Sequence, residues 1–127
     1  MPDSVVHFEV VANNLKRAQQ FYSKAFGWTM SPMPQADYVM VGTTETDKDG
    51  RPTTPGAING GMMKRTKTYA GPILTIRVED INKTLTNVMK LGGKVVRKKQ
   101  PVADMGFTAY FRDTEKNLVG LWQEAAR

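Results

Sequence analysis

The residues of this chain with the clearest chemical potential are a histidine and a glutamate near its amino end. His7 is the only histidine in 127 residues, and Glu9 follows two positions later. Residues two apart on an extended strand point to the same face, so this spacing brings an imidazole and a carboxylate together. Such a pair could act as a general base if Glu9 raises the pKa of the imidazole toward neutrality. We therefore predict His7 and Glu9 as catalytic candidates, with a hydrogen-bonded structural histidine as the alternative.

The composition excludes several other chemistries. There is no cysteine, which rules out disulfides, thiolate nucleophiles and thiolate metal sites. The net charge of +6 favours anionic partners, but the basic runs at 64–67 and 97–99 contain no aromatic residues that could stack on bases, so no nucleic-acid partner is predicted. The opening residues lack a secretory pattern, and no apolar stretch is long enough for a membrane span. We expect a cytoplasmic protein without a membrane partner.

Strand and helix patterns around His7 define a first structural unit. Val5 to Ala12 is rich in Val and Phe and predicts a strand. Leu15 to Phe26 has apolar residues at helical spacing, with Asn13 or Asn14 as the N-cap and Gly27 as the residue that ends the helix. Three further strands are predicted at Trp28 to Met33, at Tyr38 to Thr44 and, after a polar hairpin loop over 45–56, at Ala57 to Met63.

The second half of the sequence repeats this order. Residues of the strand, cap, helix and helix end match at a spacing of 66, as in Val10 with Ile76, Asn14 with Asp80, Leu15 with Ile81 and Gly27 with Gly93. The last strands match at a spacing of 60, with Ile58 over Leu118, Gly60 over Gly120 and Met62 over Trp122. These matches predict a single domain over 1–127, made of module one (1–66) and module two (67–127). The fold class is α+β: two βαβββ modules form curved mixed sheets around a cavity, with the helices on the outer faces.

Strand alternation then assigns the lining of that cavity. If His7 and Glu9 face inward, the opposite faces, which carry Phe8, Val10 and Ile76, are apolar and pack under the helices. The predicted ligand-binding residues are Ile58, Gly60, Met62, Ile73, Thr75, Arg77, Gly120 and Trp122. Arg77 could bind a carboxylate or phosphate, or it could simply neutralise Glu9. This lining suits a small apolar or aromatic ligand, with an anionic group allowed.

Motifs along nearly the whole chain carry a family resemblance. They are Val6-His7-Phe8-Glu9-Val10, Arg17-Ala18, Phe21-Tyr22 and Phe26-Gly27-Trp28 in the first half, and Val78-Glu79-Asp80-Ile81, Leu91-Gly92-Gly93-Lys94-Val95-Val96, Phe111-Arg112-Asp113 and Asn117-Leu118 in the second. With these motifs the chain resembles the vicinal oxygen chelate superfamily, which includes glyoxalase I, bleomycin and fosfomycin resistance proteins and extradiol dioxygenases. The usual final turn of the family, Asp-Pro-x-Gly-Asn, appears here as residues 113–117 without its Pro and Gly, which predicts a looser turn.

The resemblance implies a divalent metal held by His and Glu residues on the first and last strands of each module. Only His7 matches that pattern, because the other three positions fall at Ile73 and near Gly60 and Gly120. One imidazole cannot hold such a metal without further ligands. No cofactor is therefore predicted, and His7 would be a metal ligand only if a dimer partner completed the site.

Two functions follow as expectations. The first is a small-molecule-binding protein that lacks the family metal site and sequesters or senses an apolar ligand. The alternative is a glyoxalase-type lyase or isomerase that uses His7 and Glu9, with or without a metal completed across a dimer. A role as a subunit or nucleic-acid-associated module would rest on charge alone. Because the resemblance implies dimers, a homodimer is expected.

Overall fold

The chain forms eight β-strands and two α-helices within the part that the structure, a computed structural model, describes, namely residues 2–34 and 36–126. In chain order they are β1 (Val5–Ala12), α1 (Leu15–Phe26), β2 (Thr29–Met33), β3 (Tyr38–Gly42), β4 (Asn59–Lys64), β5 (Ile73–Arg77), α2 (Ile81–Lys90), β6 (Lys94–Val102), β7 (Gly106–Arg112) and β8 (Leu118–Glu124). The α+β class and the order of two βαβββ modules are confirmed. No helix in these residues is both long and apolar enough to cross a membrane.

The chain divides into two compact units, and the module names follow them from here on. Module one comprises residues 7–72, and module two comprises residues 73–126 together with residues 2–6. Each unit is a four-stranded mixed sheet with one helix. The strand order is β2-β3-β4-β1 in module one and β5-β8-β7-β6 in module two. In both modules the first and last strands pair in parallel, and the other pairs are antiparallel.

Helix α1 begins and ends where the sequence predicts. The side chain of Asn14 accepts a hydrogen bond from the backbone N–H of Arg17, which satisfies one of the free amides at the helix start. Gly27 ends the helix in the left-handed conformation at φ 72°, which costs glycine little. The helix covers the sheet face that carries Phe8, Val10 and the buried cluster Val39, Val41 and Met62.

Module two has the larger core. Its buried cluster comprises Val78, Ile81, Leu85, Ala109, Phe111 and Leu121, with Ile76 and Val119 packed against it. Asp80 caps α2 by accepting from the backbone N–H of Lys83. Met89, near the end of this helix, is 54% exposed. The helix ends at Lys90, and Gly92 takes the left-handed conformation at φ 101°, so the helix stop matches Gly27 one position earlier than predicted.

The register of the last strands corrects the predicted repeat. Glu9 lies opposite Gly61 on β4, whereas the equivalent Thr75 lies opposite Gly120 on β8. Gly61 and Gly120 are therefore equivalent, at a spacing of 59 instead of 60. In module two the residues predicted to share a face do so, because Thr75 and Arg77 lie beside Gly120 and Trp122.

In module one the predicted face of β4 is wrong. Gly60 and Met62 lie opposite Phe8 and Val10, on the face that α1 covers. The side chain of Met62 is fully buried there, so Met62 belongs to the core beneath the helix. Ile58 precedes β4, and its carbonyl accepts a hydrogen bond from the Thr43 hydroxyl. The residues that share a face with His7 and Glu9 are instead Asn59, Gly61 and Met63.

Candidate functional site

A chain of three hydrogen-bonded side chains lies on the face of module one that is opposite to α1. His7 and Glu9 stand two apart on β1, and Tyr38 begins β3. The Tyr38 hydroxyl lies 3.0 Å from His7 Nε2 and donates to Glu9 Oε2 at 2.6 Å. Glu9 is only 4% exposed, and His7 and Tyr38 are half-buried. The predicted pairing of His7 with Glu9 is therefore indirect, with a phenol between the two side chains.

Gly61 makes this arrangement possible. Tyr38 lies opposite Met63 on β4, so its ring runs diagonally across the strand toward β1. A Cβ built on Gly61 would overlap the Tyr38 hydroxyl and ring. Because Gly61 has negative φ, it is present here for space and not for backbone conformation. The Tyr38 phenol occupies the volume that a side chain on residue 61 would fill.

Burial controls the charge of His7. Desolvation lowers the pKa of the imidazole below its ordinary value, and the negative charge of Glu9 opposes that effect in part. Glu9 does act to raise the pKa of His7, but burial outweighs this effect. At neutral pH His7 is therefore neutral, with one ring nitrogen protonated and the other able to accept a proton.

The corresponding positions in module two form a different environment. Thr75 is buried, and a Cβ built on Gly120 would lie 3.1 Å from its Oγ1 and 3.3 Å from Tyr110 Cε1. Ile73 is also buried, whereas the Arg77 side chain is 55% exposed. Arg77 pairs through Nε with Glu124 at 3.2 Å, so its partner in an ion pair is Glu124 and not Glu9. Such an exposed pair adds little stability.

The residues present do not fit a divalent metal of the family type. Among the described residues, no group of three His, Cys, Asp or Glu side chains is placed to hold a metal ion. In module one His7 Nε2 and Glu9 Oε2 are already engaged, because the Tyr38 hydroxyl is hydrogen-bonded to both atoms. The last-strand positions equivalent between the modules are Gly61 and Gly120, which offer no ligand atom from a side chain.

Another surface feature is a weaker candidate. A shallow, open depression lies on α2, lined by Asn82, Lys83, Thr86, Asn87 and Lys90. A small molecule there would keep much of its contact with water, so it would gain little from burial. The hydrogen-bonded side chains of module one are the better candidate.

Tyr38 is the residue of the candidate site that the sequence did not reveal. It was predicted only as the start of a strand, because its role depends on a contact across two neighbouring strands. The one signal in the sequence is the Gly60-Gly61 pair, since consecutive glycines in a strand mark a close approach by other groups. Their neighbours in the structure are aromatic: Phe8 lies against Gly60, and Tyr38 lies against Gly61.

Comparisons with known proteins agree with this architecture. The bleomycin resistance protein-like N-terminal family matches residues 4–44, which include His7, Glu9 and Tyr38. A hypothetical protein of Bacillus halodurans C-125 superposes with a TM-score of 0.66 at 12% identity, covering 100% of this chain and 98% of its own. The chain has the vicinal oxygen chelate fold. The fold that the resemblance of the sequence motifs implies is thus confirmed.

Two further solved structures of this fold are those of a named enzyme. Methylmalonyl-CoA epimerase of Mycobacterium tuberculosis superposes with a TM-score of 0.63 at 14% identity, covering 96% of this chain and 88% of its own. The Streptomyces coelicolor epimerase in complex with 2-nitronate-propionyl-CoA gives 0.64 at 15% identity, covering 96% and 97%. At these identities the likeness concerns the fold alone. Comparison with curated protein sequences gives no match.

Proposed function

We propose that this protein binds a small organic molecule at the His7, Tyr38 and Glu9 side chains, without a metal ion of the family type. The supporting observation is the hydrogen-bonded chain itself. Burying a carboxylate such as Glu9 costs free energy that its bonds only partly offset, and the helix-covered face of the same sheet is apolar. Polar groups kept on the other face at such a cost are typical of binding sites.

A thermal-stability screen tests this proposal. A ligand that binds only the folded state raises the unfolding temperature, so at least one compound in a library of aromatic acids, phenols and thiol adducts should do so. The rise should disappear in Tyr38→Phe. Tyr22→Phe provides a matched control, since Tyr22 stacks on Trp28 at 4.8 Å on the α1 side of module one. A library without any stabilising compound would contradict the proposal.

The metal-free part of the proposal has a separate test. Protein purified without chelators should contain no stoichiometric transition metal, and titration with cobalt or nickel should give no tight site, because a metal needs more ligands than His7 and Glu9 supply. A tightly bound metal that His7→Ala removes would show that the metal site is retained.

We also propose a homodimer, which sedimentation at micromolar concentration would refute if it detected only the monomer.

A second candidate function is proton transfer next to a carbonyl group, as in a lyase, isomerase or epimerase. It is favoured by the neutral His7, which can accept a proton while Tyr38 and Glu9 offset the charge that develops on the ring. Methylmalonyl-CoA is the first substrate to test, because solved neighbours of the same fold are epimerases of that compound.

Deuterium exchange distinguishes this enzyme from a pure binding protein. In D₂O the protein should introduce deuterium at the carbon next to the thioester, and His7→Gln should slow the exchange on the order of 10²-fold or more. The Tyr22→Phe control should exchange at the wild-type rate. Exchange that His7→Gln leaves unchanged would exclude His7 as the base.

A further inference from the structure

We infer that the Tyr38 hydroxyl fixes His7 with its proton on Nε2, so that Nδ1 is the hydrogen-bond acceptor of the site and its ligand presents a neutral O–H or N–H group. This inference rests on the proposed function and names the chemical class of the ligand. It runs against the anionic ligand that the net charge of +6 suggests.

The first step concerns the single proton of Tyr38. The hydroxyl donates to Glu9 Oε2, and the 2.6 Å separation lies in the range for an O–H group bonded to an ionised carboxylate. A phenol has only one proton to donate. The contact of the hydroxyl with His7 Nε2 at 3.0 Å must therefore use a proton on the imidazole.

The second step concerns the other ring nitrogen. A neutral imidazole with its proton on Nε2 has a lone pair on Nδ1. Within residues 2–34 and 36–126, the only side-chain hydrogen bond of His7 is the one to Tyr38. In the same part of the chain, every side-chain nitrogen or oxygen buried from solvent has a hydrogen-bond partner. Nδ1, which has none, is therefore open to solvent or to a ligand.

The third step follows from the chemistry of that lone pair. An acceptor nitrogen gains a hydrogen bond from a phenol, an alcohol or an N–H group, whereas a carboxylate anion has no proton to share with it. The other polar atoms of the site are the Tyr38 hydroxyl, whose proton is used, and the Glu9 carboxylate, which is another acceptor. The site is thus rich in acceptors, and a donor is the complementary group.

The tautomer can be measured directly because His7 is the only histidine of the chain. Two-bond ¹H–¹⁵N spectra of the wild-type protein at neutral pH should show a protonated Nε2 and an unprotonated Nδ1. Tyr38→Phe should abolish this preference, whereas Tyr22→Phe should preserve it. A wild-type spectrum with the proton on Nδ1 would overturn the inference without any variant, so a poorly folded Tyr38→Phe protein does not prevent the test.

The ligand class is tested with two probes that share one ring system, 2-naphthol and 2-naphthoate. At pH 7.5 2-naphthol should shift the Nδ1 resonance and bind about tenfold more tightly than 2-naphthoate, the ratio that one net hydrogen bond supplies. Equal or tighter binding of 2-naphthoate would overturn the ligand class while still supporting a binding protein. If neither probe binds and no compound of the wider screen binds, the proposed function fails. The NMR measurement still decides separately whether the proton of His7 lies on Nε2.

Discussion

The two modules share the same order and pairing of strands, but a different side chain lies over the glycine of the last strand in each. In module one Gly61 lies beside Glu9 and beneath Tyr38, which reaches it diagonally from β3. In module two Gly120 lies beside Thr75 and directly opposite Tyr110 on β7. One tyrosine thus bridges an imidazole and a carboxylate, whereas the other lies opposite a glycine whose neighbour on β5 is a threonine. An equivalent backbone position carries different chemistry when the register of one aromatic side chain differs by two residues.

Among the variants that test this difference between the modules, Gly61→Ala is expected to cause the largest loss of stability. The new methyl group would overlap the Tyr38 hydroxyl, which would expel the phenol and remove the hydrogen bond that the buried Glu9 accepts from it. A lost hydrogen bond to a buried charge, together with local strain, should reduce the free energy of unfolding by about 2–4 kcal/mol. Urea denaturation measures this change.

The equivalent substitution in module two is its control. In Gly120→Ala the new Cβ would meet Thr75 Oγ1 at 3.1 Å and Tyr110 Cε1 at 3.3 Å, which small shifts can relieve. The expected loss is about 1 kcal/mol. Equal losses in the two variants would mean that Tyr38 has no special dependence on Gly61.

The pH is expected to change the folding stability by a smaller amount, because His7 is only half-buried. The fold holds the pKa of His7 below its ordinary value through burial, so the unfolded chain binds a proton more readily than the folded one. Stability is therefore complete above the ordinary pKa of histidine and falls as the pH decreases through the lowered value in the fold. Denaturation midpoints between pH 7 and pH 5 should decline.

His7→Gln tests the origin of that decline. No other histidine titrates in this range, and carboxylates titrate mainly below it. The variant should therefore have a nearly flat stability profile between pH 7 and pH 5. A decline that persists in His7→Gln would assign the pH dependence to another group.

The smallest effect is expected at the last turn of module two. Lys116 has φ 67°, a left-handed conformation that is unfavourable for a lysine. Lys116→Gly should raise the free energy of unfolding by about 0.5–1 kcal/mol in thermal or urea denaturation, because glycine adopts this conformation without steric cost. Asn13→Gly, at an exposed position in module one without positive φ, should not stabilise and serves as the comparison.

That turn is better ordered than the sequence suggested. Asp113 accepts hydrogen bonds from the backbone N–H groups of Glu115 and Asn117 and from the Asn117 side chain. These bonds lower the pKa of Asp113, with the Asn117 backbone as the main cause. An aspartate that organises its own turn thus replaces the proline and glycine of the family motif.

The elements were predictable because their signals are local. The helix caps Asn14 and Asp80, the glycine that ends α1 and the apolar spacing of α2 act within one turn of chain. The face of β4 was predicted wrongly because Asn59–Lys64 has two glycines followed by two methionines, and this pattern contains no alternation that could fix its phase. Tyr38 was missed for a related reason, since a diagonal contact between strands leaves no periodic mark in either strand.

The space above Gly61 can hold a tyrosine from β3 or a side chain on residue 61 itself, but not both. The residue at position 61 therefore decides whether the site contains the Tyr38 phenol or a side chain from β4. A carboxylate placed there points to the same face as Glu9, its partner in the register, and His7. The double variant Gly61→Glu with Tyr38→Ala would offer one imidazole and two carboxylates, the number of protein ligands typical of a catalytic metal centre, and cobalt titration would detect the conversion.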